Sequence, residues 1–193
     1  MGRVIIGAVA AAVAMFIIGF VLYATPLSKL AYASLDNPGA AAVQQSLAVN
    51  LPKTGTFAIP GMDTPEQTIM YGRGPIATVH YNTNGFSAAD PGTLAAGFAF
   101  EFVIALVMGA ALAGIAGHLP GFAGRARAVV LFSVAASAFI HLGEPIWYHH
   151  DWPHFVYLFV ADALALSVGG LVIARWFLGG IRPTRTVDAP SDV

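Results

Sequence analysis

Long runs of almost unbroken apolar residues occur at about Val4 to Tyr23, Thr93 to Gly117, Ala126 to Trp147 and Pro153 to Leu178. Each is close to the ~20 residues needed to cross a hydrocarbon core about 30 Å thick. The pattern therefore predicts four transmembrane helices.

Between the first two runs the pattern changes to short polar elements punctuated by Pro and Gly. Asn37-Pro38-Gly39 opens an Ala/Gln-rich helix near Ala40 to Val49, and Thr54 to Ile59 alternates as a strand does. Thr64-Pro65-Glu66-Gln67 reads as a helix start, with Thr64 as cap and Pro65 in the first turn. After Tyr71-Gly72-Arg73-Gly74 the run Pro75 to Asn82 alternates again, placing Thr78, His80 and Asn82 on one face. The predicted fold is an all-α integral membrane protein, a four-helix transmembrane bundle with a small α+β extracytoplasmic cap between helices 1 and 2. Helix 1 is expected in residues 1–24, the cap with a short hairpin in 25–92, helices 2–4 in 93–180 and a flexible cytoplasmic tail in 181–193.

Composition points the same way. The 193 residues are 57% hydrophobic and 10% charged, against the ~25% charged of an ordinary soluble domain. A net charge of −1 leaves no basic stripe for nucleic acid. The absence of cysteine excludes disulfides, thiolate catalysis and Cys-based metal centres, so any metal would be held by His and carboxylate. Arg3, Arg125, Arg127, Arg175, Arg182 and Arg185 flank one side of the spans, and Lys29, Lys53 and Arg73 the other. This excess places both termini in the cytoplasm and the cap outside a bacterial inner membrane, in the periplasm. Ala31-Tyr32-Ala33 has the form of a signal cleavage site. The apolar run before it exceeds the usual ~7–15 residues and Lys29 intervenes, so a retained anchor is expected.

Leu51-Pro52-Lys53-Thr54-Gly55 spells the sortase signal, but three spans follow it where that signal requires one apolar helix and a basic tail. A Pro/Gly turn is the simpler reading. No phosphate-binding loop or nucleophile elbow occurs in a strand-to-helix setting, which argues against phosphoryl transfer and serine hydrolysis.

The informative residues are ionisable groups within the spans. Glu101 lies roughly 15 Å and Asp162 roughly 13 Å from the outer end of their helices, at 1.5 Å per residue. His141 and Glu144 lie roughly 5 to 9 Å in, so Glu101, His141 and Asp162 are placed near one layer. A charge at the centre of a span costs about 2.5 to 3.5 kcal/mol, so these groups should be paired, protonated or beside water. Ser133, Ser137, His141 and Glu144 form a polar stripe on the third span. Glu101, Ala105, Gly109, Ala113 and Gly117 repeat every four residues, and Gly169 and Gly170 continue a small-residue face on the fourth span. Small residues let helices approach closely, so these faces are predicted to converge. The bland role for the acids is fixing helix register, and the sharper one is a proton relay or binding site.

The stretch IHLGEPIWYHHDWPH, residues 140–154, holds four of the six histidines. Its Trp and Tyr residues suit a membrane interface. His149, His150, Asp151 and His154, with His80 of the cap, are candidate ligands for Zn, Cu or Fe. Their spacing fits no specific metal signature, and adjacent histidines in a turn are usually solvated, so no cofactor is assigned. Bis-histidine haem is disfavoured because only His141 lies well within a span.

Met15-Phe16-Ile17-Ile18-Gly19-Phe20, Leu51-Pro52 through Pro60-Gly61, Gly74-Pro75 and the acid-bearing second and fourth spans resemble a group of small bacterial inner-membrane proteins. That resemblance implies four spans with an outer segment, and carries over fold and topology only. Tyr148-His149-His150-Asp151 departs from the more purely aromatic hairpin of that group. The expected function is a non-catalytic accessory, structural or assembly subunit, in contact with lipid and with membrane-protein partners or further copies of itself. The competing expectation is a metal- or proton-handling protein built on Glu101, Ser137, His141, Glu144, Asp162 and the outer histidines.

Overall fold

The computed structural model describes residues 2–87, 89–119 and 121–178; the predicted tail, with Arg182 and Arg185, lies outside the described residues. In chain order the elements are α1 (Gly2–Tyr23), a short 3-10 helix (Pro26–Leu30), α2 (Asn37–Asn50), β1 (Gly55–Ile59), α3 (Pro65–Arg73), β2 (Ala77–Tyr81), α4 (Pro91–Ile115), α5 (Gly121–His141), α6 (Gly143–Tyr148) and α7 (Trp152–Val172). A π turn, Ile173–Phe177, extends α7. The four stretches long and apolar enough to span a membrane are Gly2–Tyr23, Pro91–Ile115, Gly121–Tyr148 and Trp152–Phe177, in agreement with the hydropathy reading. The chain divides into two compact units, Met1–Ala33 with Pro91–Val193, and Ser34–Asp90.

In the helical unit α1 is central. It packs against α4 on one side and α7 on the other, and α7 packs in turn on α5. Close approach depends on glycine. A Cβ at Gly170 would stand 2.5 Å from Val129 of α5, and one at Gly109 3.0 Å from Val4 of α1. At Gly169 it would collide with Met15, and at Gly7 it would lie 2.8 Å from Phe177. The core is correspondingly small-sided, with Ala8, Ala11, Ala12 and Ala105 wholly buried. Large apolar side chains such as Phe100, Phe132, Phe139 and Trp176 point outward. This inversion of the soluble pattern is what a lipid environment favours, because helices gain by close contact and not by hiding Leu and Phe from water.

Two details differ from the sequence reading. Helix α4 stops at Ile115, so Gly117 lies in the turn beyond it and Gly109 and Ala113 carry the packing face. The small-residue faces of the spans also do not all converge on one another as expected. Helices α4 and α5 barely touch, leaving a cleft of about 450 Å³ between Met108, Leu112 and Ile115 on one wall and Val129, Phe132 and Ser133 on the other. At one end this opening is tied by Arg125, only 3% exposed, which donates to the Leu178 carbonyl at 2.6 Å and the Ala116 carbonyl at 3.5 Å. Both carbonyls follow helix C-termini, where backbone acceptors lack partners and the helix dipole is negative.

In the Ser34–Asp90 unit, Asp36 caps α2 through Gly39 N–H at 2.9 Å, and Thr64 caps α3 through Gln67 N–H at 3.2 Å. Strands β1 and β2 pair antiparallel, from Gly55 opposite Tyr81 to Ile59 opposite Ala77. The predicted short hairpin is therefore a strand pair whose connection contains all of α3. None of the described residues of this unit is buried.

Candidate functional site

The polar centre of the helical unit forms around Asp162. It lies ten residues into α7, roughly 15 Å along the axis at 1.5 Å per residue. The Tyr23 hydroxyl at the end of α1 donates to Oδ1 at 3.2 Å. His141 at the end of α5 bonds Oδ2 through Nε2 at 2.7 Å. The reach follows from helix geometry, because side chains lean toward the N-terminus of their own helix. Helices α1 and α5 run antiparallel to α7, as the Gly7–Phe177 and Val129–Gly170 contacts require. Tyr23 and His141 thus lean inward while Asp162 leans back toward them, and residues at helix ends meet one well inside a helix.

Around this centre the aromatic residues brace the helix ends. Tyr157 donates to the Leu22 carbonyl at 2.7 Å and meets the Tyr23 ring edge-on at 6.3 Å. That carbonyl is one of the unpartnered acceptors of the α1 C-terminus, so the bond serves both helix end and ring. His154 bonds the Ala31 carbonyl through Nδ1 at 2.6 Å and packs on Tyr32. Tyr148, His150 and Phe155 stack in a ladder with centroid spacings of 5.6 and 5.5 Å.

The predicted site residues fall into separate groups. Asp162 and His141 are joined, while Glu101, expected in the same layer, bonds neither of them. Glu144 is 3.2 Å from His150 Nδ1. Glu101 lies beside Gly19 of α1, and its Oε2 is buried with no hydrogen-bond partner. Ser137 is 1% exposed, one turn before His141, and its hydroxyl also lacks a partner. Among the described residues no cluster of three or more His, Asp or Glu is arranged to hold a metal. Asp151 is engaged in capping α7 through His154 N–H at 3.1 Å, and His149 sits in a left-handed turn at φ 56°. His80 belongs to the Ser34–Asp90 unit, where it bonds Thr56 across the strand pair at 3.0 Å.

Sequence reasoning missed Tyr23, Tyr157 and the carbonyl-capping role of Arg125. The tyrosines are explained locally by the interface preference, so nothing in their own neighbourhoods signals partners 139 and 135 positions away. Compared with known proteins, the chain matches no family, no curated protein and no solved structure.

Proposed function

We propose that the protein is a non-catalytic accessory or assembly subunit of a larger membrane complex. The observation that carries this reading is the lack of a core in Ser34–Asp90. None of its described residues is buried, while Leu35, Val49, Met62, Ile69, Met70 and Phe86 are each more than half exposed. A lone strand pair is marginal in water, and six large apolar side chains exposed on one small unit are available for a partner to cover. A partner that covers these side chains supplies the burial the unit lacks, worth about 1.5 to 3 kcal/mol for each large side chain fully covered.

The reading places the protein in a bacterial cytoplasmic membrane with both termini cytoplasmic and the Ser34–Asp90 unit outside. In support, Arg3, Arg125, Arg127 and Arg175 lie toward one end of the spans, and the described acids of the helical unit lie toward the other. Mild-detergent purification after installing a photo-crosslinker at Val49 or Phe86 tests the proposal. A stable second protein linked through both positions is the expected result. Links to a further copy of this chain would identify a homo-oligomer, and a lone monomer without links would overturn the reading.

A further inference from the structure

Asp162 differs from an ordinary intramembrane staple in its choice of partner. A carboxylate held permanently ionised in a membrane would be served best by Arg or Lys, which keep their charge. Asp162 has no such partner among the described residues; its one ion-pair partner is His141. Imidazole is the side chain whose charge changes between about pH 5 and 8 when unperturbed. We propose that Tyr23, His141 and Asp162 form a proton-binding site in which His141 passes a proton to the Asp162 carboxylate.

The two imidazole nitrogens have separate roles. Nε2 is on Asp162 Oδ2, and Nδ1 has no hydrogen-bond partner among the described residues. A proton taken from water at Nδ1 gives the imidazolium, and release of the Nε2 proton to Oδ2 leaves neutral imidazole beside neutral carboxylic acid. One proton is gained and none is lost. The Tyr23 hydroxyl holds Oδ1 and so fixes which carboxylate oxygen faces the ring. The site is screened by protein unevenly, with the His141 side chain 13% exposed and that of Asp162 43%.

Among the described residues the other charged groups on the elements packed against α7 do not pair with Asp162: Arg3, Arg127 and Arg175 lie toward the opposite ends of their helices, and Arg125 is bonded to the Leu178 and Ala116 carbonyls. Helix α6 brings Glu144, which is directed to His150, and the short 3-10 helix brings Lys29, which is exposed. Helix α4 brings Glu101, which lies against Gly19. On α7 itself, Tyr157 is committed to Leu22 and His154 to Ala31. The hydrogen bonds and the ion pair of Asp162 thus lie within Tyr23, His141 and Asp162.

The full-length protein in lipid nanodiscs, with ¹⁵N-labelled histidine, tests this directly. The His141 ring resonances and the protonated-carboxyl infrared band should change together as pH is varied. In Asp162→Asn the carboxyl change is lost and His141 responds alone, at a displaced midpoint. In Tyr23→Phe the coupled change persists at a displaced midpoint, which guards against an Asp162→Asn variant that fails to fold. Ring resonances of His141 that do not change with pH in the native protein, or that change without the carboxyl band or unaltered in Asp162→Asn, would overturn the proposal and leave a structural staple. Neither result depends on whether a partner subunit is present.

Discussion

Arg125 and Arg127 are two residues apart and show how differently the same side chain can be used. Arg127 is exposed, whereas Arg125 is buried and supplies donors to carbonyls beyond the ends of α4 and α7. Removing a charged donor from buried acceptors costs about 1.5 to 3 kcal/mol. Arg125→Ala should therefore lower stability by roughly that amount, measured by denaturant titration in micelles, while Arg127→Ala should leave it within about 0.5 kcal/mol of the parent. Equal effects would show that charge near the membrane, and not the two carbonyl bonds, is what matters. Both arginines read alike in a sequence, as flanking cations. Burial distinguishes them, and burial is a property of the neighbours.

Among the helices, the glycine faces on α7 permit a sharper comparison. The Cβ of Gly170→Ala would press on Val129, whose β-branched side chain has little rotamer freedom in a helix. That of Gly169→Ala meets Met15 and Met108, which are unbranched and can rearrange. At Gly114 of α4 nothing lies within 4 Å. Stability should fall most for Gly170→Ala, by about 1 to 3 kcal/mol, and less for Gly169→Ala. Gly114→Ala should be neutral or stabilising by up to about 1 kcal/mol, through helix propensity. The same denaturation series measures all three, and a loss at Gly114 equal to that at Gly170 would contradict the packing argument. The small-residue spacing was legible in the chain, since it recurs at helical intervals. Which helix each glycine meets was not, because the spacing describes one face and says nothing of its partner.

For the molecule as a whole, the contrast is between a helical unit that packs through small residues and a Ser34–Asp90 unit without a core. Expressed alone, residues 34–90 should lack cooperative thermal unfolding followed by circular dichroism; a sharp transition would mean that the exposed apolar side chains find burial within the unit after all. Hydropathy alone gave the four spans, because crossing a bilayer constrains length and polarity locally, residue after residue. Capping chemistry likewise gave the start of α3, since Thr64, Pro65 and the first turn are adjacent, while α2 begins at Asn37, earlier than the expected Ala40, with Asp36 as its cap. Depth along a helix placed Glu101, His141 and Asp162 near one layer, and only the tertiary structure showed that His141 and Asp162 bond each other while Glu101 does not. Tyr23 joined them only in three dimensions, since its place depends on α1 lying beside α7 and leaning the opposite way. The open flank between α4 and α5 and the dispersal of the outer histidines among separate partners were decided there too. Such features depend on which helices are neighbours and at what angle, and a lipid-facing apolar residue and a helix-facing one can be the same amino acid.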